Sequence, residues 1–226
     1  MYMYVEFNYM CHETQQLCIL SSHCFIELVT DQHLGVSYAA SMLFLDTLGV
    51  SAVHGLNVVV KQAFFGFWFS LLDADYQPTP SYWIAYAYKQ LVGVRVLRTA
   101  IQLNSIPSAP DEPSKLRAYS HCTSRRSGYA QGSVVTYVMN LYDGTTYVNF
   151  THMTPNTTVD EYLFTPHKQQ MDSLLIEFNG KVIKLVNDTT LPRLTPKHLG
   201  TTRGATMPPK SMAFYVFSNA LVNACR

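Results

Sequence analysis

Carboxyl groups are scarce in this chain. Asp and Glu total 15 among 226 residues, and the first 110 residues hold three Glu, at Glu6, Glu13 and Glu27. Chemistry that needs two carboxyl side chains facing one another has few candidates there. Charge of either sign is also low: 14% of residues are charged and the formal net charge is +1. That balance offers no global attraction for a polyanion. A nucleic acid partner is not expected, and a sulfated or phosphorylated one would need a local basic cluster. Long apolar runs are missing too, because His, Lys, Asp or Pro interrupts each candidate before about 18 residues, so no transmembrane helix is expected. Residues 1–31 lack the basic start, compact apolar run and small-residue cleavage site of a secretory signal. Metal spacing is equally lacking. Cys11, His12, Cys18, His23 and Cys24 fit no zinc knuckle, and His121, His152, His167 and His198 share no helical ligand spacing. No metal and no cofactor is expected.

What is present is a globular composition, 48% hydrophobic, long enough for one large or two modest domains. Residues 1–33 show no helical or strand period and form a divergent N-terminal segment with no assignable fold. Residues 34–93 read as helix, strand, helix. Ser37 can cap a helix through about Leu48, with Tyr38, Met42 and Leu45 on one face and Gly49 as its stop. The apolar run Asn57 to Phe65 suits a parallel strand buried on both faces. Thr79-Pro80 opens a second helix that Gly93 ends. This is the order of elements in a (β/α) barrel.

Residues 94–226 change period to two. Asn104 to Ser114 holds three Pro among small polar residues and reads as a loop. Strands are expected over Val94–Leu103, Lys115–Cys122, Ser133–Leu141, Thr146–Phe150, Glu161–Phe164, Leu174–Phe178, Val182–Val186 and Ala213–Phe217. Asp143-Gly144 and Asn179-Gly180 are preferred hairpin turns, so this half reads as an antiparallel β-sandwich. The fold class expected is α/β plus all-β: the C-terminal remnant of a (β/α)8 TIM barrel, then a sandwich.

Three sequons begin at Asn149, Asn156 and Asn187. They make these residues candidate glycosylation sites and suit an extracellular or lysosomal protein whose export signal lies upstream of this chain. Arg125 and Arg126, with Lys115 and Arg117 near them in sequence, form the densest basic group. They could meet sulfate through bidentate contacts or could be a solvated surface.

The segments FLDTLGVSA, VVVKQAFFG, PSYWIAY, KQLVG, KLRAYSHCT, NGKVIKLVND and TLP, in that order from about Leu34 to Arg226, resemble the C-terminal part of the heparanase family. Members of that family are endo-β-glucuronidases that cut heparan sulfate, built as a (β/α)8 barrel beside a β-sandwich and acting in lysosomes and the extracellular matrix. One relative binds the polysaccharide without cutting it. The resemblance implies heparan sulfate or its proteoglycans as partners, and a missing N-terminal half that could be a separate chain. It puts the general acid before this chain begins and the nucleophilic Glu near Ser22, where no Glu stands; His12-Glu13-Thr14 is the nearest echo. No residue here is assigned as catalytic. Gln62, ending the VVVKQ strand, and Phe69, where the family has a Tyr, are the implied substrate-binding positions. Cys122 is implied to pair with Cys225.

Overall fold

The computed structural model describes residues 2–4, 19–21, 34–61, 63–67, 69–102, 115–151 and 154–226. In chain order the elements are β1 (Tyr2–Tyr4), β2 (Ile19–Ser21), α1 (Tyr38–Val53), β3 (Val58–Val60), α2 (Pro80–Leu91), β4 (Val92–Leu97), β5 (Ala100–Gln102), β6 (Leu116–Thr123), β7 (Val134–Asn140), β8 (Thr146–Phe150), β9 (Thr158–Pro166), β10 (Ile176–Phe178), β11 (Lys181–Val182), β12 (Lys197–Gly200), β13 (Gly204–Met207) and β14 (Ser211–Ser218). They sort into two compact units: one from Cys11–Tyr88 with Pro166–Arg193, the other from Met1–Met10, Lys89–Thr165 and Leu194–Arg226.

The first unit contains a β-α-β crossover. β2 and β3 pair in parallel, Ile19 opposite Val58 and Ser21 opposite Val60. A parallel pair needs a long connection, and α1 supplies it. Ser37 caps α1, its Oγ accepting from Ala40 N at 3.4 Å and donating to Leu34 O at 2.7 Å. The next two orphan donors of the helix, Tyr38 N and Ala39 N, reach Ser173 O and Met171 O at 2.9 Å. This bonding ties Pro166–Arg193, which the sequence assigns to the second half, to the barrel-like half. Tyr38, Met42 and Leu45 are buried as expected. Gly49 does not stop the helix: it lies inside α1 and is buried. A helical Gly costs only about 1 kcal/mol, which packing can override. The stop falls at His54, followed by Gly55 at φ 76°.

β3 is shorter and more open than its apolar run suggests. Val58 and Val60 are 40% and 46% exposed. β2 is its sole strand partner among the described residues. α2 begins at Pro80, whose missing N–H costs nothing in the first turn. It buries Trp83, Ile84 and Ala87, and Tyr86 Oη donates to Pro192 O at 3.0 Å. Asn179 and Gly180, at φ 48° and 79°, turn the β10–β11 hairpin.

In the second unit the strands β9-β14-β7-β6-β4 run antiparallel side by side, with β12 also on β9. A four-stranded sheet has the order β13-β8-β1-β5. One apolar cluster draws Leu97, Leu116, Val138 and Tyr215 from the larger sheet and Val148, Phe150, Ala205 and Met207 from the smaller. The larger sheet is buried on its other face too, where Tyr137, Met139, Met212 and Phe214 are fully covered. Cys122 and Cys225 are bridged, with Cα atoms 5.2 Å apart. Closing 103 residues removes denatured-state freedom worth about 4–5 kcal/mol in the chain-entropy model. β1 and β2 come from the segment expected to have no fold, and β12 and β13 from a stretch without alternating apolar residues. Val182–Val186 shrinks to Lys181–Val182. The Pro-rich stretch 104–114 lies outside the described residues.

Candidate functional site

In a barrel the C-terminal ends of the strands carry the site. β2 ends at Ser21 and is followed by Ser22, and no Asp or Glu occurs from Thr14 to Ile26. β3 ends at Val60, followed by Lys61 and Gln62. The Lys61 ammonium lies 5.1 Å from the Phe44 ring centroid, and burial lowers its pKa to about 8. Gln62, Glu13 and the cysteines Cys11, Cys18 and Cys24 lie outside the described residues.

The loop after β3 is held by its own backbone. Leu71 N and Leu72 N donate to Phe64 O at 3.1 and 2.9 Å, and the Ser70 hydroxyl bridges Phe67 O and Leu72 O at 2.7 and 2.5 Å. Asp73 Oδ1 accepts from Asp75 N and Gln77 N at 2.9 and 2.8 Å, which spends that oxygen on shaping the turn. Phe69 is buried, at 8% exposure. Phe65 and Tyr76 stack at 4.8 Å with both rings partly exposed.

The sheet unit holds further strongly perturbed groups. His121, 2% exposed, has Nδ1 at 2.9 Å from Gly93 O; a carbonyl can only accept, so Nδ1 carries the proton. Nε2 then accepts from Tyr137 Oη at 3.4 Å. Burial drives the His121 pKa down to about 4, against the smaller opposing effect of the Gly93 bond. Glu161 is pushed above the usual carboxylate range by burial, with Tyr215 and Lys197 pulling the other way. Tyr129 Oη donates to Asp160 Oδ2 at 2.6 Å, and His198 Nδ1 meets Asp160 Oδ1 at 2.6 Å. These contacts join β9, β12 and the turn before β7. They are ties between elements, and they offer no carboxyl pair open to a substrate.

The basic group divides. Arg125 and Arg126 sit exposed in a turn capped by Ser124, just past the end of β6, whereas Lys115 and Arg117 sit at its start. Eight residues of strand span about 26 Å. Lys210 is engaged with Asp143 at 3.0 Å. Asn156 and Asn187 occupy exposed turns, and Asn187 Oδ1 accepts from Thr189 Oγ1 at 3.1 Å. Asn149 is half-buried on β8. The His121–Gly93 and Tyr129–Asp160–His198 contacts were not legible in sequence, since their members lie 28 to 38 residues apart. Among the described residues no group of three or more His, Cys, Asp or Glu is placed to hold a metal ion, and no helix is long and apolar enough to cross a membrane.

No family model matches the chain. Relatives do. The chain is 38% identical over 199 residues to a protein named heparanase from Bos taurus, covering 85% of this chain and 34% of that one. It is 34% identical over 201 residues to inactive heparanase-2 from Homo sapiens, covering 86% and 34%. It thus spans about a third of the length of the curated relatives it matches. Among solved structures, a GH51 arabinofuranosidase from Xanthomonas axonopodis pv. citri aligns at a TM-score of 0.55 with 12% identity, covering 80% of this chain and 36% of that one. That likeness bears on the fold alone, which is mostly antiparallel sheet with few helices and consistent with part of a barrel.

Proposed function

The chain belongs to the heparanase family of glycoside hydrolases over the portion it shares with these relatives, and from that premise we propose that it is the closing segment of a protein that hydrolyses glucuronosyl bonds of heparan sulfate, and that it does not cut by itself. We read the β2-α1-β3-α2 portion as the last units of a (β/α)8 barrel and the paired sheets as a β-sandwich. The observation that carries the reading is the end of β2. Retaining hydrolysis needs two carboxyl groups about 5–5.5 Å apart, and the strand end where barrel enzymes place one runs into Ser21-Ser22. Gln62 and Phe69 are the positions we assign to substrate contact, Phe69 as a buried wall. The missing upstream part, on this chain or as a separate one, completes the barrel. The three sequons and the disulfide support a secreted, matrix or lysosomal setting.

A second reading has its own support. A non-catalytic paralogue that only holds heparan sulfate also fits the strand end without an acid and the 34% identity to a relative named inactive. In either case the exposed Arg125–Arg126 turn is the sulfate-facing candidate on this chain. The test is to incubate the purified chain with heparan sulfate and follow polymer length. No shortening is expected. Shortening that a Glu13→Gln change abolishes would place the nucleophile at Glu13 and overturn the reading. An in-frame Gly-Glu-Thr segment and an Asn-Glu motif upstream in the transcript favour the enzyme; their absence favours the binder.

A further inference from the structure

The outer face of the four-stranded sheet carries an arrangement that the other two sequons lack. Side chains alternate along a strand, so Tyr147 and Asn149 on β8 point the same way while Val148 and Phe150 enter the core. The residue directly across from Asn149 on β13 is Gly204. A side chain at position 204 would collide with Tyr147: an added Cβ would stand 2.3 Å from its Oη and 2.6 Å from its Cζ. The phenol end of Tyr147 therefore fills the space beside Asn149 that a cross-strand side chain would ordinarily take. Gly204 is buried beneath it, yet Tyr147 remains 55% exposed. Glycine inside a strand marks just such a close approach. At the other sequons the residue two places earlier is Thr154 or Leu185, and neither supplies a ring.

We propose that Asn149 is an N-glycosylation site whose first N-acetylglucosamine packs on the exposed face of Tyr147, so that the sugar becomes part of the outer surface of this sheet. The axial C–H groups of a pyranose form an apolar, weakly positive face, and the aromatic ring offers the complementary negative one. Asn149 Nδ2 is the acceptor: it forms the bond to the sugar's anomeric carbon and loses a proton, and the dolichyl diphosphate of the donor leaves. The inference rests on the secretory setting given above, which supplies that donor.

The full chain would be produced behind a heterologous secretion signal and the occupancy of each sequon read by glycopeptide mass. Occupancy at Asn149 is expected. Enzymatic trimming to the bare protein should lower Tm by about 2–4 °C, the shift for a modest contact in a chain of this size. Tyr147→Thr, which keeps a strand-compatible residue, should abolish most of the difference between glycosylated and trimmed protein, and Tyr147→Phe should preserve it. Asn156 and Asn187 occupied with Asn149 bare would overturn the inference and leave the secretory reading standing. Glycan on none of the three would overturn both. An occupied Asn149 whose glycan effect on Tm is indifferent to Tyr147→Thr would overturn the packing.

Discussion

His121 is held neutral from both edges of its ring: Nδ1–H donates to Gly93 O and Nε2 accepts from Tyr137. Its pKa near 4 lies well below the ordinary value of about 6.5. Between those values the unfolded chain binds a proton that the folded one refuses. Stability is therefore intact above about pH 6.5 and falls as pH drops toward 4, by on the order of 3 kcal/mol once the window is crossed. Urea titrations from pH 7 to 4.5 should show this loss, and His121→Gln should flatten it while lowering stability at pH 7, because Gly93 O then depends on a poorer donor. An unchanged slope in the variant would assign the acid sensitivity elsewhere. The residue type was visible in the sequence, but its partners were not: SHCT announces a histidine on a strand, and only the β4–β6 pairing brings Gly93 against it.

At the scale of elements, the passage from α2 into β4 is a tight joint. β4 follows α2 without a loop, and Ser124 N donates to Leu91 O at 2.8 Å. Gly93 lies so close to β6 that a Cβ would stand 2.6 Å from Cys122 O and 2.8 Å from Thr123 O. Both are backbone atoms and cannot swing aside. Gly93→Ala should destabilise the protein by about 1–3 kcal/mol, read as a lower urea midpoint. Its neighbour Val94 is 98% exposed, and Val94→Ala should stay within about 0.5 kcal/mol. The sequence presented Gly93 as the end of a helix; the helix stops at Leu91, and Gly93 is the second residue of β4. Its closeness to Cys122 is a property of sheet pairing, which no local pattern encodes. Gly49 shows the converse: as a glycine it looked like a stop, and the buried face of α1 carried the helix past it.

At the scale of the whole molecule, the two units differ in how well they are closed. The sheet unit buries both faces of its larger sheet and is clipped by Cys122–Cys225. The other unit has a two-stranded parallel pair and leaves Val58, Val60, Phe64 and Phe65 between 40% and 65% exposed. A strand with one neighbour keeps an unpaired edge, and apolar exposure there invites cleavage and association. Limited proteolysis should therefore cut within residues 34–88 first. The protected material should begin near Lys89, ahead of the Pro-rich stretch, because β4 is a paired strand of the sheet unit. A stable fragment covering Ser37 to Gly93 after loss of residues 115–165 would reverse this order of stability.

Local pattern determined the strongest elements and the family. Ser37 with its apolar face at Tyr38, Met42 and Leu45, Pro80 at the head of α2, and the alternating runs that became β6, β7, β8 and β14 follow from capping, proline geometry and side-chain period, which need only neighbouring residues. The scarcity of carboxyl groups likewise needed no coordinates. Tertiary structure alone decided that Pro166–Arg193 bonds to the start of α1, that Arg117 and Arg125 stand at opposite ends of one strand, and that Tyr147 shelters Gly204 beside Asn149. Each of these depends on which distant segments meet. That choice is made by burial of the whole chain, and short-range periodicity carries no record of it.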